Sequence, residues 1–264
     1  MKKILKLEGY GPRGRDNYIK MRKKINRKLA KTFYKKSIIF NYYFFKIFKK
    51  NIRLKLNEIL KYDENDINLR QNDQEEQALP GMKKYKKNGW YKYMFARYLF
   101  AIKYIKNKKI LDTACGLGWG SYLISEYPNK IVAIDIDNKS LDFAKNHWKS
   151  KNLFFANNSI LEINKLKQYF DVVLGYEVIE HLPFDSGKNY IYEISNSLNK
   201  RGILILSSAF PETRKKAKVL ENKNKYHPHI YTKDEMVNLL KKNGFKKIKF
   251  YGNFMVKAIK NEKC

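Results

Sequence analysis

The stretch KILDTACGLGWGS, residues 109–121, decides the fold. Its first residues predict a buried β-strand that ends in an acid, Asp112, and a helix is expected to begin near Trp119. Between them lie the closely spaced glycines Gly116 and Gly118. Glycine lets the backbone turn tightly and approach a ligand closely, and a helix N-terminus presents unpaired N–H groups. The stretch therefore predicts a nucleotide-binding turn.

A second acid follows at the end of the next predicted strand, Ile131 to Asp135. This is the place where a ribose-binding carboxylate is expected in a βαβ unit. The glycines follow the pattern G-x-G-x-G, with Ser121 next, whereas a dinucleotide site needs G-x-G-x-x-G. Asp112 would also repel a pyrophosphate, but it can lie beside a cationic amino-acid portion of a ligand. The spacing favours such a ligand over a dinucleotide.

Strands and helices alternate from residue 109 to the end. Further strands are predicted at 153–156, 171–175 and 202–208, with helices at 139–148, 188–198 and 233–243. Two last strands, 247–251 and 255–259, are joined so closely that they must be antiparallel. Strands separated by helices imply a parallel sheet. The predicted fold is α/β: a Rossmann-like, doubly wound, seven-stranded sheet with a C-terminal antiparallel hairpin, preceded by a basic helical N-terminal extension.

The chain of 264 residues is expected to hold a basic extension (1–60), an acidic and polar linker (61–84) and the α/β domain (85–264). No stretch reaches the roughly 20 apolar residues of a membrane span, and no signal peptide is evident. Cys115 and Cys264 are the two cysteines, too few for a disulfide framework. We expect a cytoplasmic protein, either free or peripheral to the inner face of the membrane.

The extension carries much of the charge. Nineteen basic residues and two acids give residues 1–55 a net charge of +17, more than half of the total of +31. Apolar residues recur there at helical spacing: Tyr18, Met21, Ile25, Leu29 and Phe33. A basic amphipathic helix of this kind fits three roles: packing on the α/β domain or in a homodimer, binding an anionic membrane surface, or, less favoured, binding nucleic acid.

Acids and histidines cluster after the fourth strand of the domain. Glu177, Glu180 and His181 are spaced i, i+3 and i+4, so one helical turn would place them on one face. His227 lies in a later loop. In one hypothesis all four hold Mg²⁺, Mn²⁺ or Zn²⁺, which would lower the pKa of an acceptor hydroxyl. In another, His181 or His227 is a general base without metal. In a third, Glu180 and His181 only position the loop.

These motifs resemble those of class I S-adenosylmethionine (SAM) methyltransferases. The matching stretches are ILDTACGLGWGS, AIDID, FDVVLGYEVIEHL, LNKRGILILS and HPHIYTKDEM. They are similar to a bacterial group often linked to surface-glycan synthesis. The E-x-x-E-H run also resembles ubiquinone-pathway O-methyltransferases and small-RNA 3′-terminal 2′-O-methyltransferases, in which acids and histidines of this kind bind metal.

The resemblance implies a SAM site and an acceptor site. Asp112, Gly116 and Gly118 would line the methionine side, Asp135 would bind the ribose, and Ile136 and Asn158 would contact the adenine. The full set of cofactor residues that it implies is Asp112, Cys115, Gly116, Gly118, Asp135, Ile136, Asn158, Ser159 and Tyr176. The acceptor would lie against Tyr176, Glu177 and His181, under a lysine-rich lid at 210–230.

The expected reaction is methyl transfer to an oxygen of a small-molecule, sugar or lipid-linked acceptor. A phosphate-bearing glycan acceptor would suit the lysines of the lid. The alternatives are an RNA 2′-O-methyltransferase and a non-catalytic SAM-binding partner subunit.

Overall fold

The structure, a computed structural model, describes residues 50–66 and 78–262. The predicted amphipathic helix at 18–33 and residues 67–77 of the predicted linker lie outside these residues. The chain divides into two compact units, Met1–Phe100 and Ala101–Cys264. The predicted start of the α/β domain, residue 85, precedes this division.

The first unit contributes helices α1 (Lys50–Ile59), α2 (Lys83–Asn88) and most of α3 (Tyr91–Ile105). In α1 the apolar residues Ile52, Leu56 and Ile59 recur at helical spacing and are buried. Helix α3 continues into the second unit.

The second unit contains a seven-stranded sheet with helices between most of its strands. Its strands are β1 (Lys109–Thr113), β2 (Lys130–Asp135), β3 (Leu153–Asn157), β4 (Phe170–Tyr176), β5 (Leu198–Ser207), β6 (Phe245–Tyr251) and β7 (Met255–Lys260). Its helices are α4 (Trp119–Ile124), α5 (Asn138–His147), α6 (Phe184–Ser197), α7 (Arg214–Glu221) and α8 (Lys233–Lys242), with short 3-10 turns at Ile163–Leu166 and Ile179–His181.

The strand order is β3-β2-β1-β4-β5-β7-β6. Strands β1 to β5 are parallel, and β7 runs antiparallel to both β5 and β6. The chain changes direction across the sheet between β1 and β4, and open α/β sheets bind ligands at the carboxyl ends of the strands beside such a switch point. The predicted Rossmann-like seven-stranded sheet with its antiparallel hairpin is confirmed, whereas most of the predicted basic extension lies outside the described residues.

Tyr190 of α6 connects that helix to strands β1 and β4 at the centre of the sheet. Its ring is fully buried, and its hydroxyl lies 2.5 Å from Thr113 Oγ1, which donates to the Leu174 carbonyl oxygen at 2.8 Å. A Cβ at Gly175 would lie 2.3 Å from the same hydroxyl. The absence of a side chain at Gly175 therefore lets α6 approach β4 closely.

Three elements differ from prediction. Helix α6 begins at Phe184 rather than near residue 188, and α7 lies within the predicted lid, where no helix was predicted. Glu177 does not share a helical turn with Glu180 and His181: the turn is a 3-10 helix over Ile179–His181, and Glu177 precedes it with φ +56°. In the part of the chain that the structure describes, no helix is both long and apolar enough to cross a membrane.

Candidate active site

The glycine turn after β1 is tightly packed. Gly118 adopts φ +72°, and a Cβ there would lie 2.6 Å from Phe155 Cε1 and 2.7 Å from Ala144 Cβ. The Cys115 N–H donates to the Ile134 carbonyl oxygen at 2.9 Å, which ties the turn to the end of β2. Glycine is thus required at residue 118 by both conformation and space.

Asp135 ends β2 beside this turn. Its carboxylate accepts hydrogen bonds from the backbone N–H groups of Gly116 (2.7 Å) and Asp137 (2.9 Å). Burial raises the pKa of this carboxyl, and the two N–H donors oppose the rise by stabilising the ionised form. The next side chain, Ile136, is 73% exposed. An acid and an exposed apolar side chain therefore adjoin at the carboxyl end of β2.

Asp112 and Cys115 lie on the other side of the turn. Asp112 is buried, and its carboxylate accepts a hydrogen bond from Ser121 Oγ at 2.5 Å. Ser121 lies where a dinucleotide-binding pattern has a glycine, and its hydroxyl here holds the Asp112 carboxylate. Burial, with the charges of Asp112 and Asp135, holds the pKa of the Cys115 thiol well above its usual value. Cys115 is therefore a neutral part of the turn and not a nucleophile.

Asn158 follows β3, and its carboxamide nitrogen makes the side-chain hydrogen bonds. Its side-chain nitrogen donates to the carbonyl oxygens of Ser159 (2.7 Å) and Glu162 (3.1 Å). Its backbone N–H donates to the Asp135 carbonyl oxygen at 3.1 Å. The carboxamide oxygen takes part in none of these bonds, so it suits an amino-group donor such as that of adenine.

The end of β4 is strained. Tyr176 is buried, and the next residue, Glu177, has a left-handed backbone. Glu177 is fixed to β5 twice: its N–H donates to the Ser207 carbonyl oxygen at 3.0 Å, and Ser207 Oγ donates to Glu177 Oε1 at 2.7 Å. Strained residues of this kind cluster at functional sites, where the surrounding structure holds them in place.

Glu180, His181 and His227 come together beyond this residue. One possible ligand atom from each lies within 4.8 Å of the others. The two imidazole rings meet edge to face, with their centroids 4.8 Å apart. Three of the four residues predicted as one cluster are thus assembled. One oxygen of the Glu177 carboxylate is bonded to Ser207, but its charge still acts on His227 and opposes the lowering of the pKa of that ring.

Asn224 orients His227. The Tyr226 N–H donates to Asn224 Oδ1 at 3.0 Å, so the carboxamide nitrogen is the atom that faces His227 Nε2, 3.0 Å away. Because that nitrogen can only donate, His227 Nε2 accepts, and the neutral ring carries its proton on Nδ1. Burial and the neighbouring His181 lower the pKa of His227 to about 4. His227 is therefore neutral over the physiological pH range.

A metal ion does not fit this cluster as it is arranged. The candidate ligand atoms lie within 4.8 Å of one another, whereas atoms bound to one ion with bonds of about 2.1 Å lie about 3.4 Å apart on a tetrahedral ion and at most about 4.2 Å apart on an octahedral one, so the group would have to contract. Metal binding also needs an imidazole nitrogen that carries no proton. His227 Nε2 accepts from Asn224, and its Nδ1 is protonated. A metal would require Asn224 to leave its present hydrogen bonds.

The predicted lid, 210–230, is a helix and a loop clamped by one arginine. Arg214 donates to the Ile230 carbonyl oxygen (2.9 Å) and to Glu235 Oε2 (3.2 Å), and it also pairs with the buried Glu221. The Ile230 N–H donates to Glu221 Oε1 at 2.8 Å. This network fixes the end of the loop that contains His227.

Sequence reasoning missed Asn224, Ser207 and Arg214. Asn224 lies three residues before His227, a spacing at which a turn can bring an amide to an imidazole, so local sequence carried a weak signal. Ser207 reaches Glu177 from a different strand. Arg214 belongs to a helix that was not predicted. Neither of these last two had a local signal.

Comparison with known proteins bears on the family of this chain. A family model described as "Methyltransferase domain" matches residues 105–251. The ubiquinone biosynthesis O-methyltransferase of Pelagibacter ubique is 34% identical over 108 residues, 40% of this chain and 44% of that protein. A "Probable S-adenosylmethionine-dependent methyltransferase" of Mycobacterium tuberculosis is 26% identical over 147 residues, 56% of this chain and 52% of that protein. The matched regions thus span about half the length of these relatives.

Solved structures share the fold. The N-methyltransferase NodS of Bradyrhizobium japonicum, in complex with S-adenosylhomocysteine, superposes with a TM-score of 0.56 at 14% identity, covering 76% of this chain and 100% of that one. An O-methyltransferase family protein of Burkholderia thailandensis gives 0.52 at 10% identity, covering 65% of this chain and 59% of that one. The family model matches more than half of this chain, and the chain has the fold of these solved structures. The chain therefore belongs to the class I SAM-dependent methyltransferases.

Proposed function

We propose that this protein transfers a methyl group from SAM to a hydroxyl oxygen of a small-molecule, sugar or lipid-linked acceptor. The observation that carries the proposal is the pair His181 and His227, with ring centroids 4.8 Å apart, after β4 and close to its carboxyl end. Substrates of open α/β sheets lie at that edge. A histidine there is suited to take the proton of an acceptor hydroxyl.

The residues of the glycine turn fit SAM. Asp135 would accept from the ribose hydroxyls, and the Asn158 carboxamide oxygen from the adenine amino group. Asp112 carries a charge opposite to that of the methionine ammonium. When bound, SAM supplies a methyl group that its sulfonium has already activated. The tasks of the protein are therefore to align the acceptor and remove its proton.

The two histidines have different tasks in this proposal. His227 stays neutral, because its pKa is about 4, and its Nε2 is engaged by Asn224. His181 is exposed on the 3-10 turn, where an acceptor can reach it. We therefore assign proton removal to His181, with His227 packed against it edge to face. Glu177 would orient the acceptor from its fixed position beside Ser207.

This assignment is made without a metal. The hypothesis of a divalent cation held by Glu177, Glu180, His181 and His227 is less well supported, since one acid is bonded elsewhere and His227 offers no free lone pair. The RNA alternative loses support with it, because the resemblance to small-RNA methyltransferases rests on that ligand set. A non-catalytic subunit would have no use for the strained Glu177 beside two histidines.

The preference for oxygen has a second source. The Pelagibacter ubique relative is an O-methyltransferase by name, and its 34% identity covers 108 residues. The identity of the acceptor is a separate question, because that match covers only 40% of this chain.

The test is methyl transfer from tritiated SAM, in the presence of EDTA, to panels of catechols, nucleotide sugars, membrane lipid extract and RNA. We expect label in a hydroxylated small-molecule, sugar or lipid fraction, in a product that resists mild base as an ether does and an ester does not. His181→Asn should lower the rate about 10²- to 10⁴-fold. His147→Asn is the matched control, since that ring stacks on Phe143 in α5. Label confined to RNA, or abolished by EDTA, would contradict the proposal.

A further inference from the structure

A cluster of lysines and tyrosines lies on the outer face of the C-terminal hairpin. We call Lys247, Lys249, Tyr251 and Lys257 the hairpin patch. Lys249 and Lys257 are cross-strand partners of β6 and β7, and Lys247 and Lys249 are exposed. The Lys249 ammonium lies 5.4 Å from the centre of the Tyr251 ring. Nothing in the proposed catalytic steps uses these residues.

A β-bulge places these lysines outside. Lys246 pairs with Ile259 and Lys249 with Lys257, so two residues, Lys247 and Ile248, oppose one residue of β7. Lys247 takes φ +49° at this bulge. Before the bulge Phe245 belongs to the hydrophobic core, and Ile248 in the bulge and Phe250 after it pack against that core.

Without the bulge, strict alternation would turn Lys247 and Lys249 to the face of Phe245. Bulges that redirect side chains in this way are often found at functional surfaces. The strained lysine therefore keeps positive charge on one face and apolar side chains on the other.

The patch is extended by the last turn of α3. The Tyr104 hydroxyl lies 3.4 Å from that of Tyr251, and the Lys257 ammonium is 5.3 Å from the Tyr104 ring centre. The Lys103 ammonium lies 5.9 Å from the Tyr251 ring centre. Besides burial, it is the charges of Lys103, Lys249 and Lys247 that lower the pKa of Lys257. Positive charge is thus concentrated around two tyrosines, and an anionic partner would relieve its repulsion.

An exposed aromatic side chain lies at the tip of the same hairpin. Phe254, in the turn between β6 and β7, exposes 49% of its surface. Exposed aromatic residues beside lysines and tyrosines suit the headgroup layer of a negatively charged bilayer. Single-stranded nucleic acid fits less well, because it needs open aromatic faces for its bases. The ring of Tyr251 already carries ammonium groups within 6 Å of its centre.

The hairpin tip also lies at the edge of the sheet where the catalytic residues are. Tyr251 pairs with Met255, and Met255 pairs with Ser207, which holds Glu177. Strands are about 4.8 Å apart, so β6 lies roughly 14 Å from β4 along this edge. We propose that the hairpin patch and Phe254 dock this protein on an anionic phospholipid surface, with the carboxyl edge of the sheet close to the bilayer.

The first test is cosedimentation of the full chain with phosphatidylcholine vesicles that do or do not contain phosphatidylglycerol. Each lysine near such a surface strengthens binding about five-fold. Lys247→Glu/Lys249→Glu should therefore weaken binding to the anionic vesicles by at least about 25-fold. The matched control is Lys241→Glu/Lys242→Glu at the end of α8, which changes the charge equally and should weaken binding far less. Equal losses in both variants would overturn the proposal.

The second test reports orientation. Phe254→Trp should gain emission that brominated phosphatidylglycerol quenches, whereas Tyr169→Trp, at the opposite edge of the sheet, should not. Equal quenching at both positions, or none at residue 254, contradicts docking through the hairpin. If the Lys247→Glu/Lys249→Glu variant loses binding to oligouridylate and keeps its binding to vesicles, the partner is nucleic acid and the proposal is wrong. These measurements do not use methyl transfer, so their failure leaves the proposed function untouched.

Discussion

Asn224 donates a hydrogen bond to Nε2 of His227, 3.0 Å away, and its own orientation is fixed by the Tyr226 N–H. This single contact determines which nitrogen of His227 carries the proton. It also separates the metal hypothesis from the general-base hypothesis for the E-x-x-E-H cluster. A metal ion and the Asn224 amide would compete for the same lone pair, on His227 Nε2. The predictions about the catalytic cluster follow from it.

Replacement of Asn224 by aspartate should reverse the tautomer of His227. A carboxylate accepts where the amide donates, so the proton would move to Nε2 and the charged ring would be stabilised. We expect the pKa of His227 to rise by about one to three units. Histidine ¹⁵N NMR reports both changes. Asn222→Asp, in the same loop, is the matched control, and an equal rise there would show that the effect is not specific to the hydrogen bond.

The stability of the protein should fall as the pH falls from about 6.5 to 4. His227 has a folded-state pKa of about 4 against an ordinary value of 6.5. In this window the unfolded chain binds a proton that the folded protein does not, so the free energy of unfolding rises with pH. The ring is only half-buried, so solvent screening limits the effect to the order of 1 kcal/mol.

Chemical denaturation at pH 6.5 and 4.5, for wild type and His227→Gln, measures that contribution. The variant should lose part of the pH dependence, because glutamine does not titrate. Identical pH dependence in both proteins would contradict the lowered pKa.

The sheet and the glycine turn after β1 could be predicted from the sequence because their signals are local. Alternating strands and helices indicated the topology, and the glycines that follow Asp112 indicated the turn. Helix α7 was not predicted because its sequence, RKKAKVLE, is dominated by charged residues, and it buries only Ala217 and Glu221. No apolar stripe marked it as a helix.

The cluster of Glu180, His181 and His227 was only partly predictable. The i, i+3, i+4 spacing predicted one helical face. In the structure β4 ends at Tyr176, and the next residue, Glu177, has a left-handed backbone with φ +56°. That conformation depends on Ser207 of β5, which is 30 residues away in sequence. The pairing of His181 with His227 depends on a loop whose clamp, Arg214 with Glu221, has no sequence motif.

Gly118→Ala should be far more harmful than Gly244→Ala. Both glycines have positive φ, but a Cβ at residue 118 would lie 2.6 Å from Phe155 Cε1, whereas at residue 244 it meets nothing within 4 Å. We expect a loss of about 2–4 kcal/mol at residue 118 and about 1 kcal/mol at residue 244. Urea denaturation measures both, and equal losses would show that the turn is not tightly packed.

Arg214→Met should destabilise the lid by about 2–3 kcal/mol, because it leaves the buried Glu221 without its arginine. The double variant Arg214→Met/Glu221→Gln should be more stable than the single one, since it removes the buried charge as well. Thermal unfolding distinguishes them. A double variant less stable than Arg214→Met would mean that Glu221 does not depend on this pair.

The most direct test of the central claim is calorimetric titration of the full chain with S-adenosylhomocysteine after treatment with EDTA. We predict binding by the wild type, about 100-fold weaker binding by Asp135→Ala, which loses hydrogen bonds from its carboxylate to the ribose, and unchanged binding by Asp142→Ala on the exposed face of α5. No binding by the folded wild-type protein, or equal binding by all three, would contradict the assignment of the SAM site to the carboxyl end of β2.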